Sequence, residues 1–379
     1  MIEHNNEHTI KTDKISYQEI SDPVVRAITP LVSVHMITYN HELYIAEAIE
    51  GILHQKTDFP FELVIGEDCS KDRTREIVMN YQIQHPEIIR VITSKKNVGM
   101  TENHFRTTQA CRGKYTAYCE GDDYWHSPYK LQKQIDIFEK DDGVSLVASD
   151  ADALFMKNER YIRSLMRRTG QLEVMPDDMT KALLNRNICL ITCTVCFRSE
   201  LFLNIIKANP YEYSAYFPMS DVQTWWEFSR RGRIHIVPES LATYRVLDSS
   251  VSHSENPEKV FDFYLKSLEL HEHYVSKFDY DNTVLHAVRR AHYSLFADIS
   301  LRTRSEALRI RALNTIHQVP RGMSLRDQII LWGIKKQTRF LLLSSVWPAL
   351  SLAFRAAHRG HHIFKQCFNK MARIVHNDA

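Results

Sequence analysis

Lys114-Tyr115-Thr116-Ala117-Tyr118-Cys119-Glu120-Gly121-Asp122-Asp123-Tyr124-Trp125 is a short apolar run that breaks into three carboxylates within four residues. The run up to Tyr118 reads as a buried strand. Like charges crowded at a strand end cost free energy unless a cation receives them. Hard divalent ions such as Mg²⁺ and Mn²⁺ favour oxygen ligands, and Mg²⁺ is often held by one or two carboxylates completed by substrate phosphates. Glu120, Asp122 and Asp123 therefore read as a metal–diphosphate site, against the plain alternative of a solvated acidic turn.

Upstream, residues 31–37 form a short β-branched strand ending at Thr38-Tyr39-Asn40. A helix follows over 43–53, with Ile45, Ala48, Ile49 and Ile52 on one face. A second strand, 61–66, runs into Glu67-Asp68-Cys69-Ser70, and Asp72 or Thr74 caps the next helix. A third strand, 90–93, leads to the loop Asn97-Val98-Gly99 and a helix near 102–110. Alternating strands and helices with short connections predict an α/β fold, a mainly parallel sheet with helices on both faces. Ligands of such sheets bind beyond the carboxyl ends of the strands, where all these polar clusters fall.

Downstream, 144–148 reads as a strand ending at Ser149-Asp150. Residues 151–187 are irregular and carry Arg160, Arg163, Arg167 and Arg168, read as a solvated face or as a greeting surface for a phosphate-bearing acceptor. Strand character returns over 188–197, a helix opens at Ser220-Asp221, and 233–237 and 241–246 read as two short strands. From 255 onward the pattern is helical. The predicted organisation is a loosely ordered lead-in over 1–29, the α/β domain over 30–254, a helical region over 255–330 and a basic, apolar tail over 331–379.

The 379 residues are 44% hydrophobic and 25% charged, as in globular proteins. A net charge of +2 argues against a nucleic-acid partner. Seven cysteines without a regular framework fit a reducing compartment. Residues 1–22 lack the apolar core of a signal peptide, and no run is long enough to span a bilayer. The expected location is the cytoplasm, including the inner face of the plasma membrane. Residues 340–354 are apolar between basic flanks, which fits a membrane-surface segment as well as a packing or dimer helix.

Taken together, residues 30–252 resemble the family 2 glycosyltransferases of GT-A fold. The resemblance rests on the opening strand with Thr38-Tyr39-Asn40, on Glu67-Asp68-Cys69-Ser70, on Asn97-Val98-Gly99, on Glu120-Gly121-Asp122-Asp123, on Ser220-Asp221 with Trp225, and on Tyr244-Arg245-Val246. It implies a Rossmann-like nucleotide-binding sheet and transfer of a sugar, with inversion, from a nucleoside-diphosphate sugar to a glycan or lipid-linked saccharide of a bacterial cell-surface polymer. UDP-sugar is the first donor expected and dTDP-sugar the second. Asp122 and Asp123 are then implied for a Mg²⁺ or Mn²⁺ ion. Glu120 stands where aspartate is more usual, its role open between metal ligand and donor-sugar contact.

Thr38, Tyr39, Asn40, Glu67, Asp68 and Ser70 are implied for the nucleotide, Asp68 or Ser70 also being suited to cap a helix. Asn97 and Gly99 suit either nucleotide contact or a turn with Gly99 at positive φ. Asp221 is the implied general base, kept ionised by its helix N-terminus. Trp225, one turn on, suits acceptor stacking or core packing. Arg245 suits the diphosphate or a carboxylate partner, and His253 follows it. Cys189, Cys193 and Cys196 hint at zinc but lack a fourth ligand. Two other classes stand beside this reading. A sugar nucleotidyltransferase would need a Gly-rich phosphate loop that 38–47 lacks, and a non-catalytic nucleotide-sugar-binding module would have no use for Asp221.

Overall fold

The computed structural model describes residues 17–173, 176–217, 219–247, 256–316 and 325–357. The chain divides into two compact units, 1–248 and 249–379. The first unit begins with β1 (Gln18–Ile20), α1 (Pro23–Ala27), β2 (Val32–Thr38), α2 (Ile45–Leu53), β3 (Phe61–Glu67), α3 (Thr74–Gln84), β4 (Ile89–Thr93), α4 (Met100–Ala110) and β5 (Tyr115–Tyr118). It continues with β6 (Tyr124–Trp125), α5 (Lys130–Lys140), β7 (Val144–Phe155), β8 (Arg160–Ile162), α6 (Leu165–Arg168), α7 (Met179–Leu184), β9 (Cys196–Arg198), α8 (Ser199–Ala208), α9 (Asp221–Arg231) and β10 (Arg233–Val246).

Among the described residues the strands form one sheet in the order β1-β4-β3-β2-β5-β9-β7-β10-β6, with β8 alongside β7. β4, β3, β2 and β5 are mutually parallel, as are β7 and β10. β9 runs antiparallel to both β5 and β7, so the two parallel sets point the same way. Their carboxyl ends share one edge. Val32, Val34 and Met36 of β2 and Ile45, Ala48, Ile49 and Ile52 of α2 are all fully buried in one core cluster. Near-continuous apolar strands are what a sheet covered on both faces requires.

The expected α/β sheet is present, with differences that have local causes. Part of the lead-in is ordered: β1 adds antiparallel to β4, where Arg90 Nε donates to Glu19 Oε1 (2.9 Å), and Arg112 Nη2 donates to Val25 O (2.9 Å). β7 runs on through Asp150 and Asp152 because both buried carboxylates are satisfied by hydrogen bonds. The predicted strand over 188–197 is a 3₁₀ turn at Thr192–Thr194 followed by β9. Residues 233–246 form one strand whose register is irregular around Val237 and Ser240, next to Pro238.

The second unit holds α10 (Pro257–Lys277), α11 (Asn282–Thr303), α12 (Glu306–Thr315), α13 (Leu325–Lys335) and α14 (Gln337–Ala357). Asn256, Asp281 and Ser305 cap the first three with side-chain oxygens. The division expected at 330/331 falls inside α13, and the change of unit comes at 248/249 rather than 254/255. Much of the expected tail packs within its unit. Ile330, Ile334, Phe340, Leu343 and Trp347 are buried, Arg309 Nη1 donates to Ile334 O (2.8 Å), and Trp347 Nε1 donates to Asp298 Oδ1 (2.9 Å). Leu341 and Val346 are exposed. No described helix is long and apolar enough to cross a membrane. The tail beyond 357 and His253 lie outside the described residues.

Candidate active site

Beyond β2, β3 and β4 the loops are tied to one another. Asp68 accepts from Val98 N (2.8 Å) and Gly99 N (2.9 Å), while its carbonyl accepts from Asn97 Nδ2 (3.0 Å). Gly99 has φ +88°, so the expected turn is realised around Asp68. Burial raises the Asp68 pKa against those two amide hydrogen bonds. Glu67 accepts from Ser70 N (2.6 Å) and Thr93 Oγ1 (3.0 Å). Ser70 Oγ accepts from Asn40 N (3.1 Å), and Asn40 Oδ1 accepts from Lys71 N (2.8 Å). Asp72, not Asp68, caps α3 through Thr74 N (3.0 Å). Thr38 is buried, and Tyr39 beside it is 36% exposed.

Arg106 is the hidden centre of this region. Its fully buried guanidinium donates to Asn103 Oδ1 (2.9 Å), Ser94 Oγ (2.7 Å) and Glu67 O (3.0 Å), and reaches Asp68 Oδ1 at 3.4 Å. One planar fork thus joins the ends of β3 and β4 to α4. The sequence reading missed it; a lone arginine beside Phe105, inside a helix that must cover the sheet, was the available signal.

The acid turn follows β5. Gly121 N donates to Ile37 O (3.0 Å), and a Cβ on Gly121 would lie 2.7 Å from Thr38 Oγ1 and 3.0 Å from His41 Nδ1. Glycine is therefore what lets the turn press against β2. Asp122 Oδ2 lies 4.0 Å from His41 Nε2. Asp123 Oδ1 accepts from Arg245 N (2.8 Å), and the Cys193 thiol lies near its carboxyl. Arg245 does not project a free guanidinium: it pairs with Glu47, donates to Asp122 O (2.7 Å) and stacks over Tyr124 with 4.5 Å to the ring centroid. Glu120 is half-buried, and its Oε2 is shut off from solvent with no hydrogen-bond partner. Burial, then the charges of Asp122 and Asp221, push its pKa up to about 8. Asp123 is pushed well up by burial, then by Asp122 and Glu120.

Asp221 opens α9. Its Oδ1 accepts from Val222 N (2.8 Å) and its Oδ2 from Thr192 Oγ1 (3.3 Å). The expectation that its helix terminus holds the pKa down is corrected: burial raises it, outweighing those hydrogen bonds. The turn Thr192–Thr194 links the acid turn to α9, since Thr192 holds Asp221 and the Cys193 thiol lies near Asp123. The sequence carried no mark of Thr192. Trp225 is 2% exposed and packs toward Tyr118 and Phe197, so acceptor stacking is corrected to core packing. Cys193 and Cys196 are buried and Cys189 is exposed, with all three free.

Among the described residues no group of three or more His, Cys, Asp or Glu side chains is gathered to hold a metal ion unaided. The donor set nevertheless fits an ion completed by substrate oxygens. A buried carboxylate oxygen without a partner, set among like charges, has the chemistry that Mg²⁺ or Mn²⁺ relieves. Glu120 and Asp122 are the side chains suited to it, whereas Asp123 spends an oxygen on Arg245 N.

The family model described as Glycosyl transferase family 2 matches residues 33–202. An uncharacterized Mycobacterium tuberculosis protein is 31% identical over 225 residues, 59% of this chain and 60% of that protein. The chain thus spans about 60% of the length of its mycobacterial relatives. The putative teichuronic acid biosynthesis glycosyltransferase TuaG of Bacillus subtilis is 27% identical over 230 residues, 59% of this chain and 82% of that one. In fold, the chain is similar to S. aureus TarS 1-349, solved with UDP-GlcNAc, at a TM-score of 0.52 and 18% identity over 84% of this chain and 91% of that one. The architecture is the expected GT-A sheet.

Proposed function

We propose, from the match of residues 33–202 to the model of glycosyl transferase family 2, that this chain belongs to that family and transfers a sugar from a nucleoside-diphosphate sugar to a hydroxyl of a glycan or lipid-linked saccharide. The observation that carries this reading is the convergence of Glu120, Asp122 and Asp221 within one electrostatic cluster beyond the sheet edge. Bound at Glu120 and Asp122, a divalent cation would supply Lewis-acid stabilisation of the leaving diphosphate. Tyr39 and the loops tied by Asp68 receive the nucleotide. Asp221 accepts the proton of the acceptor hydroxyl as that oxygen bonds to the anomeric carbon. The bond from that carbon to the diphosphate breaks on the opposite face, so configuration inverts. A carboxylate whose pKa burial has raised is a stronger base for this step. Arg245 acts by holding Asp122 and Asp123 in place.

A UDP-sugar is the first donor to test, since the fold neighbour TarS was solved with UDP-GlcNAc. An anionic or lipid-linked envelope glycan as acceptor is in keeping with the name of the B. subtilis relative. A reducing compartment is supported by the described cysteines, all of them free. Contact with a membrane surface rests on exposed Leu341 and Val346 beside Lys335 and Lys336.

The test is a thermal-shift panel of UDP-, dTDP- and GDP-sugars with Mn²⁺ or with EDTA. A matching donor at a hundred times its Kd stabilises the fold by about 2.7 kcal/mol. One nucleotide class should raise Tm only when Mn²⁺ is present. A flat response to every donor would reject the reading.

A further inference from the structure

Four arginines lie within nine residues along β8 and α6: Arg160, Arg163, Arg167 and Arg168, all exposed. Elsewhere in this unit arginines meet carboxylates, as Arg90 and Arg112 meet Glu62, Arg198 meets Asp142 and Arg233 meets Asp141. Among the described residues none of the four has such a partner. Arg167 donates to Pro238 O (3.1 Å) and Arg160 stacks over Phe155, which leaves Arg163 and Arg168 free of both kinds of contact.

The segment is held firmly. Asp150, fully buried, accepts from Ala151 N (2.7 Å), Met166 N (2.7 Å) and Arg167 N (3.2 Å). Asp152 accepts from Ser164 N (2.8 Å), Ser240 Oγ (2.6 Å) and Tyr161 Oη (2.6 Å). Ser164 takes a left-handed backbone (φ 49°) to bring its amide there. Two buried carboxylates thus direct most of their hydrogen bonds to presenting one cationic surface segment. It also borders the active edge: Phe155 pairs with Arg160 on one side and with Val246, next to Arg245, on the other. Tyr161, 42% exposed, adds a ring face beside the charges.

We propose that Arg160, Arg163 and Arg168, with Tyr161 between them, dock an anionic glycan, the acceptor chain carrying carboxylate or phosphate groups on its sugars. Guanidinium groups match both anions in geometry, and an aromatic face suits a sugar ring. A lipid surface is disfavoured because no exposed large aliphatic side chain stands in the segment. The assignment of an acceptor role rests on the glycosyltransferase reading; the binding itself does not.

Affinity electrophoresis of the full chain through plain dextran, carboxymethyl-dextran and dextran phosphate tests it on one backbone. At least one anionic gel should retard the protein about tenfold more strongly than plain dextran, an effect weakened by salt. The triple variant R160Q/R163Q/R168Q should lose that excess while keeping the donor-induced thermal shift of the wild type. Equal retardation of variant and wild type would overturn the proposal. So would equal retardation by polyuridylate, or an equal loss in the distant control K95Q/K96Q. If wild type binds the anionic gel yet transfers no sugar from any donor, the catalytic reading fails and the docking strip stands.

Discussion

The two ends of this active edge are built on opposite terms. Beyond β2, β3 and β4, each carboxylate is matched: Glu67 by Ser70 N and Thr93, Asp68 by two amides and Arg106, Asp72 by Thr74 N and Glu42 N. Beyond β5 and at the start of α9, Glu120 has an oxygen without a partner, and like charge adds to burial in raising the pKa values of Glu120 and Asp123, whereas the rise at Asp68 is opposed by two amides and Arg106. The first half is a finished scaffold. The second is a concentration of like charge that the fold tolerates at a cost to stability. Fully satisfied polar networks rigidify, whereas strained, unpaired groups concentrate where ligands complete them.

The largest expected effect breaks the second half. Asp221→Asn removes the proton acceptor and nothing from the nucleotide loops. Turnover should fall about 10²–10⁴-fold, with the donor-induced thermal shift unchanged. The variant should be at least as stable as wild type at neutral pH, because it deletes a half-buried charge whose raised pKa shows that the fold disfavours it. Turnover within tenfold of wild type would remove Asp221 from the chemistry and blur the contrast.

The next effect breaks the first half. Arg106→Ala leaves Asp68 with less compensation for its burial and strands Glu67 O, Asn103 and Ser94. Removing one member of a buried charge pair costs about 3–5 kcal/mol. The urea midpoint should drop by that equivalent. A loss under about 1 kcal/mol would mean that this half is no more rigid than the acid turn.

How much of this was legible follows the same divide. The alternation of β2, α2, β3, α3 and β4 could be read because each element has its own apolar period and short connections. The positions of Asp68, Glu120 and Asp221 were readable because carboxylates at strand and helix ends stand out. What those carboxylates touch was not. Asp123 and Asp122 look equivalent in sequence, yet one is spent on Arg245 N, a residue 122 positions away. Trp225 shares a helix face with Asp221, but burial against Phe197, not periodicity, decides its role. Thr192 reaches Asp221 only through a 3₁₀ turn that strand-like composition concealed. Asp150 read as the end of a strand and Asp152 as part of an irregular stretch because their partners, Met166 N and Ser164 N, come from a segment with no periodic signal.

The smallest expected effect sharpens the comparison through pH. The folded-state pKa of Glu120 is about 8, against 4.5 for the free side chain. A raised pKa adds stability that is fully present below about pH 4.5 and lost as pH rises through about 8, because the unfolded chain releases that proton first. Asp72, in the matched half, has a lowered pKa and behaves the opposite way: its contribution is present above 3.8 and fades only in acid. Buried His35, held down to about 4 from 6.5, adds a slope of the other sign in the lower part of this window, and Lys130, held down to about 8 from 10.5, adds one only above about pH 8. The difference between wild type and Glu120→Gln cancels those common slopes and isolates the acid turn. In EDTA, wild type should lose Tm relative to the variant steadily from pH 5 to pH 8. Millimolar Mg²⁺ together with UDP should reverse the gap at pH 8, because an ion gripped by Glu120 replaces the proton and stabilises only the chain that retains the carboxylate. A gap that ignores pH in EDTA would show that Glu120 is not the strained carboxylate of this edge, and a gap that ignores Mg²⁺ with UDP would remove Glu120 from the ion's ligands.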